Sequence, residues 1–138
     1  MDIQKYKTEH LPEIARTYGL SLVILFGSQV TGQTHKESDY DIGYTSTRPL
    51  SFEEQGILIS DLMRVVGVQD ERLIDLVNLR TAPPLLVHLA TSNAIVLYEN
   101  EPTAFATLQA YAFARYIETL PLRQANYERL QERYTMHV

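Results

Sequence analysis

Gly27 and Ser28, then ten residues, then Asp39-Tyr40-Asp41, are the residues of this 138-residue chain whose types and spacing could do chemistry. At ordinary residue usage four such fixed positions coincide about once in 10^5 starting points, too rarely for a chain this short. Side chains two apart on a strand share a face, roughly 7 Å apart along the backbone, so Asp39 and Asp41 could clamp hard divalent cations between them. Left alone they would repel. Two magnesium ions would offset that repulsion, bridge the phosphates of a nucleoside triphosphate, and stabilise charge on the attacking and leaving oxygens. Gly27 directly follows an apolar run and permits close backbone approach, a helix starting there would aim free N–H groups at an anion, and Ser28 adds a hydroxyl.

A third carboxylate stands among aliphatic neighbours: Asp75 lies between Leu73-Ile74 and Leu76-Val77. A lone ionised carboxylate inside such a strand costs several kcal/mol or takes up a proton unless a cation or donors meet it. If its strand lies beside that of Asp39 and Asp41, Asp75 completes a triad that ligates metal and accepts the proton of an attacking hydroxyl. The alternative is a carboxylate facing solvent at a strand edge. The other candidates are weaker. His10, His35, His88 and His137 show no metal-ligand spacing and read as surface or structural residues, and Ser28 lacks the base and carboxylate of a hydrolase triad. Tyr127 and Tyr134, seven apart, read as a packing stripe.

Those side chains need elements to hold them, and the hydropathy pattern supplies an alternation. Glu9 to Tyr18 reads as a short helix with Gly19 as its C-cap, and Leu20 to Phe26 as a strand buried on both faces. Ser28 to Ser38 is a polar turn region. Asp39 to Thr45 reads as a second strand, with Tyr40, Ile42 and Tyr44 alternating with Asp39, Asp41 and Gly43. A capping box of Ser51 and Glu54 opens a helix that Gly67 stops. Arg72 to Leu79 is a third strand, Pro83-Pro84 opens a helix through Thr91, and Ala94 to Tyr98 is a last short strand. Beyond Pro102 the chain reads as helix, with Pro121 as its point of interruption. This order predicts an α+β fold in which a small mixed β-sheet is flanked by helices and followed by a C-terminal helical extension. Its length fits a single domain, 1–138, with a core about 20–98 and a helical segment about 103–135.

Composition narrows the function classes. Seventeen acidic against twelve basic residues leave a charge of −5, the wrong sign for gripping long nucleic acid or an anionic membrane. The absence of cysteine excludes disulfides, thiolate metal sites and cysteine nucleophiles. Neither a signal-peptide core nor a run near eighteen apolar residues is present, so the expectation is a cytoplasmic protein. From Ala104 to Ile117 eleven of fourteen residues are apolar or tyrosine. One face of such a helix can pack on the sheet; the other, with Phe105, Tyr111, Phe113 or Tyr116, either meets a partner subunit or another copy, or closes a wholly intramolecular core.

Gly-Ser, ten residues, Asp-x-Asp and a later acidic strand residue together resemble the nucleotidyltransferase superfamily of the DNA polymerase β type. The compact spacing is most similar to the MNT group, the minimal nucleotidyltransferases that act as antitoxins beside HEPN-domain RNase toxins. The resemblance covers roughly Leu20 to Tyr98. It implies a polymerase β-like fold with the site at strand ends, Gly27 and Ser28 holding triphosphate, and Asp39, Asp41 and Asp75 as catalytic, magnesium-binding residues. It also implies a reaction: AMP passes from ATP to a tyrosine hydroxyl of a cognate HEPN toxin, the partner in a hetero-oligomer. Two alternatives accompany it, a non-catalytic antitoxin that blocks the toxin sterically and a nucleotidyltransferase acting on a small molecule. One departure matters: many relatives carry Ala-Arg-Gly after the Gly-Ser, whereas this chain reads Val30-Thr31-Gly32. Lys36 and Arg48 are the candidates to replace the missing arginine, against a plain reading of both as solvated surface charges.

Overall fold

The sheet is built around the one segment apolar enough to be covered on both sides. In the computed structural model, which describes residues 3–32 and 39–136, the elements run α1 (Leu11–Tyr18), β1 (Leu20–Phe26), α2 (Ser28–Thr31), β2 (Tyr40–Ser46), α3 (Phe52–Val66), β3 (Ile74–Asn78), α4 (Pro84–Ser92), β4 (Ile95–Glu99) and α5 (Ala104–Met136). The strand order is β3-β2-β1-β4. β1 pairs antiparallel with both β2 and β4, while β2 and β3 run parallel, so the sheet is mixed as the sequence predicts.

β1 sits inside that sheet and divides its side chains between two cores. Leu20, Val23 and Leu25 join Leu11, Ala15, Tyr18, Leu58 and Leu62 beneath α1 and α3. Leu22, Ile24 and Phe26 join Leu79 and Ala90 on the opposite face, where Phe105 and Leu108 of α5 also pack. The Tyr18 hydroxyl donates to Asp61 at 3.0 Å and ties α1 to α3. Its own proton is held tightly, first by burial and then by the Asp61 carboxylate, so its pKa rises to about 12.

The punctuation of the elements is local chemistry. Gly19 and Gly67 close α1 and α3 with φ of +69° and +82°, backbone that side chains rarely adopt. Ser51 Oγ accepts from the Glu54 N–H while the Glu54 carboxylate accepts from the Ser51 N–H, the reciprocal box expected from sequence. Pro121, in contrast, does not interrupt α5, which continues through it. A proline removes one backbone donor and crowds the carbonyls upstream. Here the Arg123 guanidinium donates to the Tyr116 carbonyl at 2.8 Å and to the Thr119 hydroxyl, which itself donates to the Arg115 carbonyl. Side chains thus serve the Arg115 and Tyr116 carbonyls, just upstream of the Ile117 carbonyl whose backbone donor the proline removes.

Gly43 in β2 has an ordinary φ, but a Cβ there would stand 2.9 Å from both methyls of buried Leu79. The leucine folds over the bare strand and fills the second core. Gly43→Ala should therefore cost about 1–3 kcal/mol in urea unfolding, with an unchanged m-value. A double-mutant cycle with Leu79→Ala should show a coupling of about 1 kcal/mol, because trimming the leucine removes the clash.

Candidate functional site

The antiparallel pairing sets Phe26, the last residue of β1, opposite Asp41 near the start of β2. The parallel pairing then sets Asp75 of β3 beside Asp41. Paired residues on neighbouring strands project from one face, so both carboxylates share the face that carries Phe26 and the second core. Asp39 lies just before the first residue of β2, outside the strand predicted to include it. Asp41 is half-buried, whereas Asp39 and Asp75 are exposed. Asp75 stands on the edge strand with its aliphatic neighbours turned alternately, so solvent as well as Asp41 meets it; the pressure for an opposing group comes from Asp41 rather than from burial.

Gly27 joins the strand end to α2 with φ of +80°. A Cβ there would lie 2.0 Å from Asp41 Oδ2. A side chain there would displace the Asp41 carboxylate, which occupies that place. The glycine therefore admits Asp41, a role that the spacing alone does not reveal and that stands beside the expected approach to a phosphate. The signal was available in principle, since a glycine ending one strand and a carboxylate starting its antiparallel partner must meet if the register is known. Ser28 opens α2, which is a single turn closed by Gly32, so the helix contributes little macrodipole. The Gly27 carbonyl accepts from the Val30 and Thr31 N–H groups at 3.0 and 3.2 Å.

The electrostatics of the carboxylates are frustrated. Burial first, then the charges of Asp75 and Asp39 and a hydrogen bond with Asp75, push the Asp41 pKa up to about 6. Such a group gains from any cation brought to it. Hard carboxylate oxygens suit magnesium, and the place a Cβ would fill at Gly27 leaves backbone next to Asp41. Among the described residues no group of three or more His, Asp or Glu stands ready-made to hold a metal ion, so the fit rests on donor type and on the Asp41–Asp75 pair, with Asp39 close enough to be felt.

The remaining sequence candidates fall elsewhere. Lys36 and His35, with the rest of 33–38, and His137 lie outside the described residues. Arg48 follows the far end of β2 from Asp41 and is committed to Glu54 at 2.7 Å, so it does not replace the missing arginine. His88 stacks on Tyr116 with ring centroids 4.2 Å apart and packs beside Phe113, a structural use. Tyr127 and Tyr134 are exposed rather than packed. A groove of ≈ 780 Å³ opens between α1 and the end of α3, lined by His10, Glu13, Asp61 and Arg64, and holds none of the carboxylates.

A family model described as polymerase beta, nucleotidyltransferase, matches residues 9–103. Among solved structures, the fold is similar to a toxin–antitoxin crystallised with AMP-PNP, with a TM-score of 0.72 and 22% identity over 95% of this chain and 99% of that one. It is also similar to an MntA–HepT toxin–antitoxin, with a TM-score of 0.67 and 20% identity over 90% of this chain and 96% of that one. A third likeness, to a tri-AMPylated Shewanella oneidensis HEPN toxin in complex with MNT antitoxin, has a TM-score of 0.67 and 20% identity over 90% and 95%. At these identities the likeness is one of fold. No curated protein matches the chain.

The raised pKa of Asp41 has a stability consequence. A carboxyl whose folded pKa exceeds its unfolded value helps the fold when neutral, and that contribution disappears as pH rises through about 6. Asp41→Asn should thus stabilise the metal-free chain at pH 8 by about 1 kcal/mol, a figure discounted for the partial exposure of the group. The gain should vanish below about pH 4, and thermal melts of both chains across that range check it.

Proposed function

The chain belongs to the polymerase beta nucleotidyltransferase family, and from that premise we propose that it is an antitoxin enzyme which transfers AMP from ATP to a tyrosine hydroxyl of a cognate HEPN toxin. The observation that carries the reading is the pairing of Asp41 with Asp75 across parallel strands, beside a glycine whose missing side chain makes room for the Asp41 carboxylate. The solved toxin–antitoxin pairs of the same fold, one with an ATP analogue and one with an AMPylated HEPN toxin, support the nucleotide and the partner.

In this reading Gly27 and Ser28 hold the triphosphate, and Asp39, Asp41 and Asp75 hold magnesium. When bound, the metal neutralises charge on the phosphates and on the entering and leaving oxygens. Asp75, exposed on the edge strand and beside Asp41, takes the proton of the tyrosine hydroxyl. The tyrosine oxygen bonds to the α-phosphorus as the bond from that phosphorus to the bridging oxygen breaks, and pyrophosphate departs with the electron pair. Asp41, next to the strand end and braced against Gly27, fixes where the phosphates sit. The new group adds bulk and negative charge to the toxin, which disables it.

Incubation with ATP, magnesium and the cognate HEPN protein should add whole AMP masses to that protein by mass spectrometry. Asp41→Asn or Asp75→Asn should lower the transfer rate by about a hundredfold or more while the two proteins still associate. Full neutralisation of the toxin by an Asp39→Asn, Asp41→Asn double variant would instead favour a steric antitoxin. Gly27→Ala should lose ATP binding, measured by calorimetry, as completely as Asp41→Asn loses transfer, because the new methyl displaces the Asp41 carboxylate.

A further inference from the structure

The face of α5 that packs on the domain does not end where the domain ends. Phe105, Leu108, Ala112, Tyr116, Leu120, Arg123, Tyr127, Leu130 and Tyr134 follow one another at spacings of three or four, which keeps them on one side of the helix. The first part of this stripe is covered: Phe105 and Leu108 pack against the second core and Ala112 is 1% exposed. His88 stacks on Tyr116. Beyond that the cover stops. Every residue from Gln124 to Thr135 is exposed, including Tyr127 at 64%, Leu130 at 51% and Tyr134 at 75%. These twelve residues make about 18 Å of overhanging helix. The segment propagates from a packed helix, so its nucleus is already formed, but its apolar side chains have no tertiary cover among the described residues.

We propose that this overhang, with Phe113, Ile117 and Leu120 at its root, is the surface on which the acceptor protein docks through an apolar helical face; the inference rests on the adenylyl-transfer reading. Two observations select that occupant. The exposed parts of the three aromatic and three aliphatic side chains amount to roughly 600 Å², most of the about 800 Å² that each partner contributes to a stable interface. The stripe also belongs to the face of the sheet that carries Asp41 and Asp75, since Phe26 pairs with Asp41 and packs in the core that Phe105 and Leu108 cover. A protein seated along it lies on the side from which a hydroxyl must reach the carboxylates. A second copy of the chain seated there would leave the acceptor no comparable surface on that face.

The test is the variant Leu130→Glu, Tyr134→Glu in the full chain, both positions being exposed, with its fold checked by an unchanged melting temperature. Its affinity for the cognate HEPN protein should fall at least about tenfold, and KM for that protein should rise, while magnesium-dependent ATP binding by calorimetry stays as in the wild type. Unchanged affinity for the HEPN protein would overturn the inference and leave the catalytic reading intact. So would a wild-type dimer that the variant turns into a monomer with toxin affinity retained, which would make a second copy the occupant. A wild-type chain that binds the toxin through this stripe but transfers no AMP would sink the catalytic reading and keep the docking surface. Failure of the wild type to bind the HEPN protein at all overturns both.

Discussion

The site is organised by a repulsion that the fold enforces. Parallel pairing of β2 with β3 sets two carboxylates side by side, and a third precedes the strand. The Asp41 carboxylate stands where a side chain of Gly27 would be, close against the end of β1. The cost appears as a carboxyl whose pKa is driven to about 6. A fold selected for stability alone would place a positive side chain or an amide there. Arg48, one of the nearby-in-sequence cations, is instead held by Glu54 past the far end of β2. Frustration of this kind concentrates where charge must be received from outside.

Much of the scaffold was legible because its signals are local. The apolar run from Leu20 to Phe26 could only be a doubly covered strand, and the box of Ser51 with Glu54 and the stop at Gly67 mark α3 to the residue. The two aspartates of Asp39-Tyr40-Asp41 stand out as candidates from spacing alone. Register is different in kind, because it is set by partners distant in the chain. No pattern within Arg72 to Leu79 says that Asp75 will stand beside Asp41 rather than one residue away, where it would point to the other face. The close approaches of Gly27 to Asp41 and of Gly43 to Leu79 were hidden for the same reason. Pro121 misled because propensity sees the lost donor but not the Arg123 and Thr119 side chains that serve the carbonyls around it.

The two faces of the sheet are finished unequally. Beneath α1 and α3 the core is closed, with Leu11, Ile42, Leu58 and Val23 entirely out of solvent and Tyr18 bonded to Asp61. The opposite face carries a smaller core, the carboxylates at its mouth, and a helix whose apolar stripe continues past the last residue able to cover it. Stability is supplied by one side, which leaves the other free to be incomplete.

That incompleteness has two chemistries, and they call for different things. The carboxylate cluster lacks positive charge, which an apolar surface cannot supply; the stripe from Tyr127 to Tyr134 lacks apolar cover, which a triphosphate cannot supply. A nucleotide carried in with its divalent cation would answer the first and leave the second exposed, and a purely steric partner would do the reverse. In the proposed reading both are answered together, since transfer of a nucleotidyl group to a protein hydroxyl brings a metal-bound triphosphate and a protein to one face. A small-molecule acceptor would not itself cover the exposed stripe of Tyr127, Leu130 and Tyr134, whereas a protein acceptor seated there would.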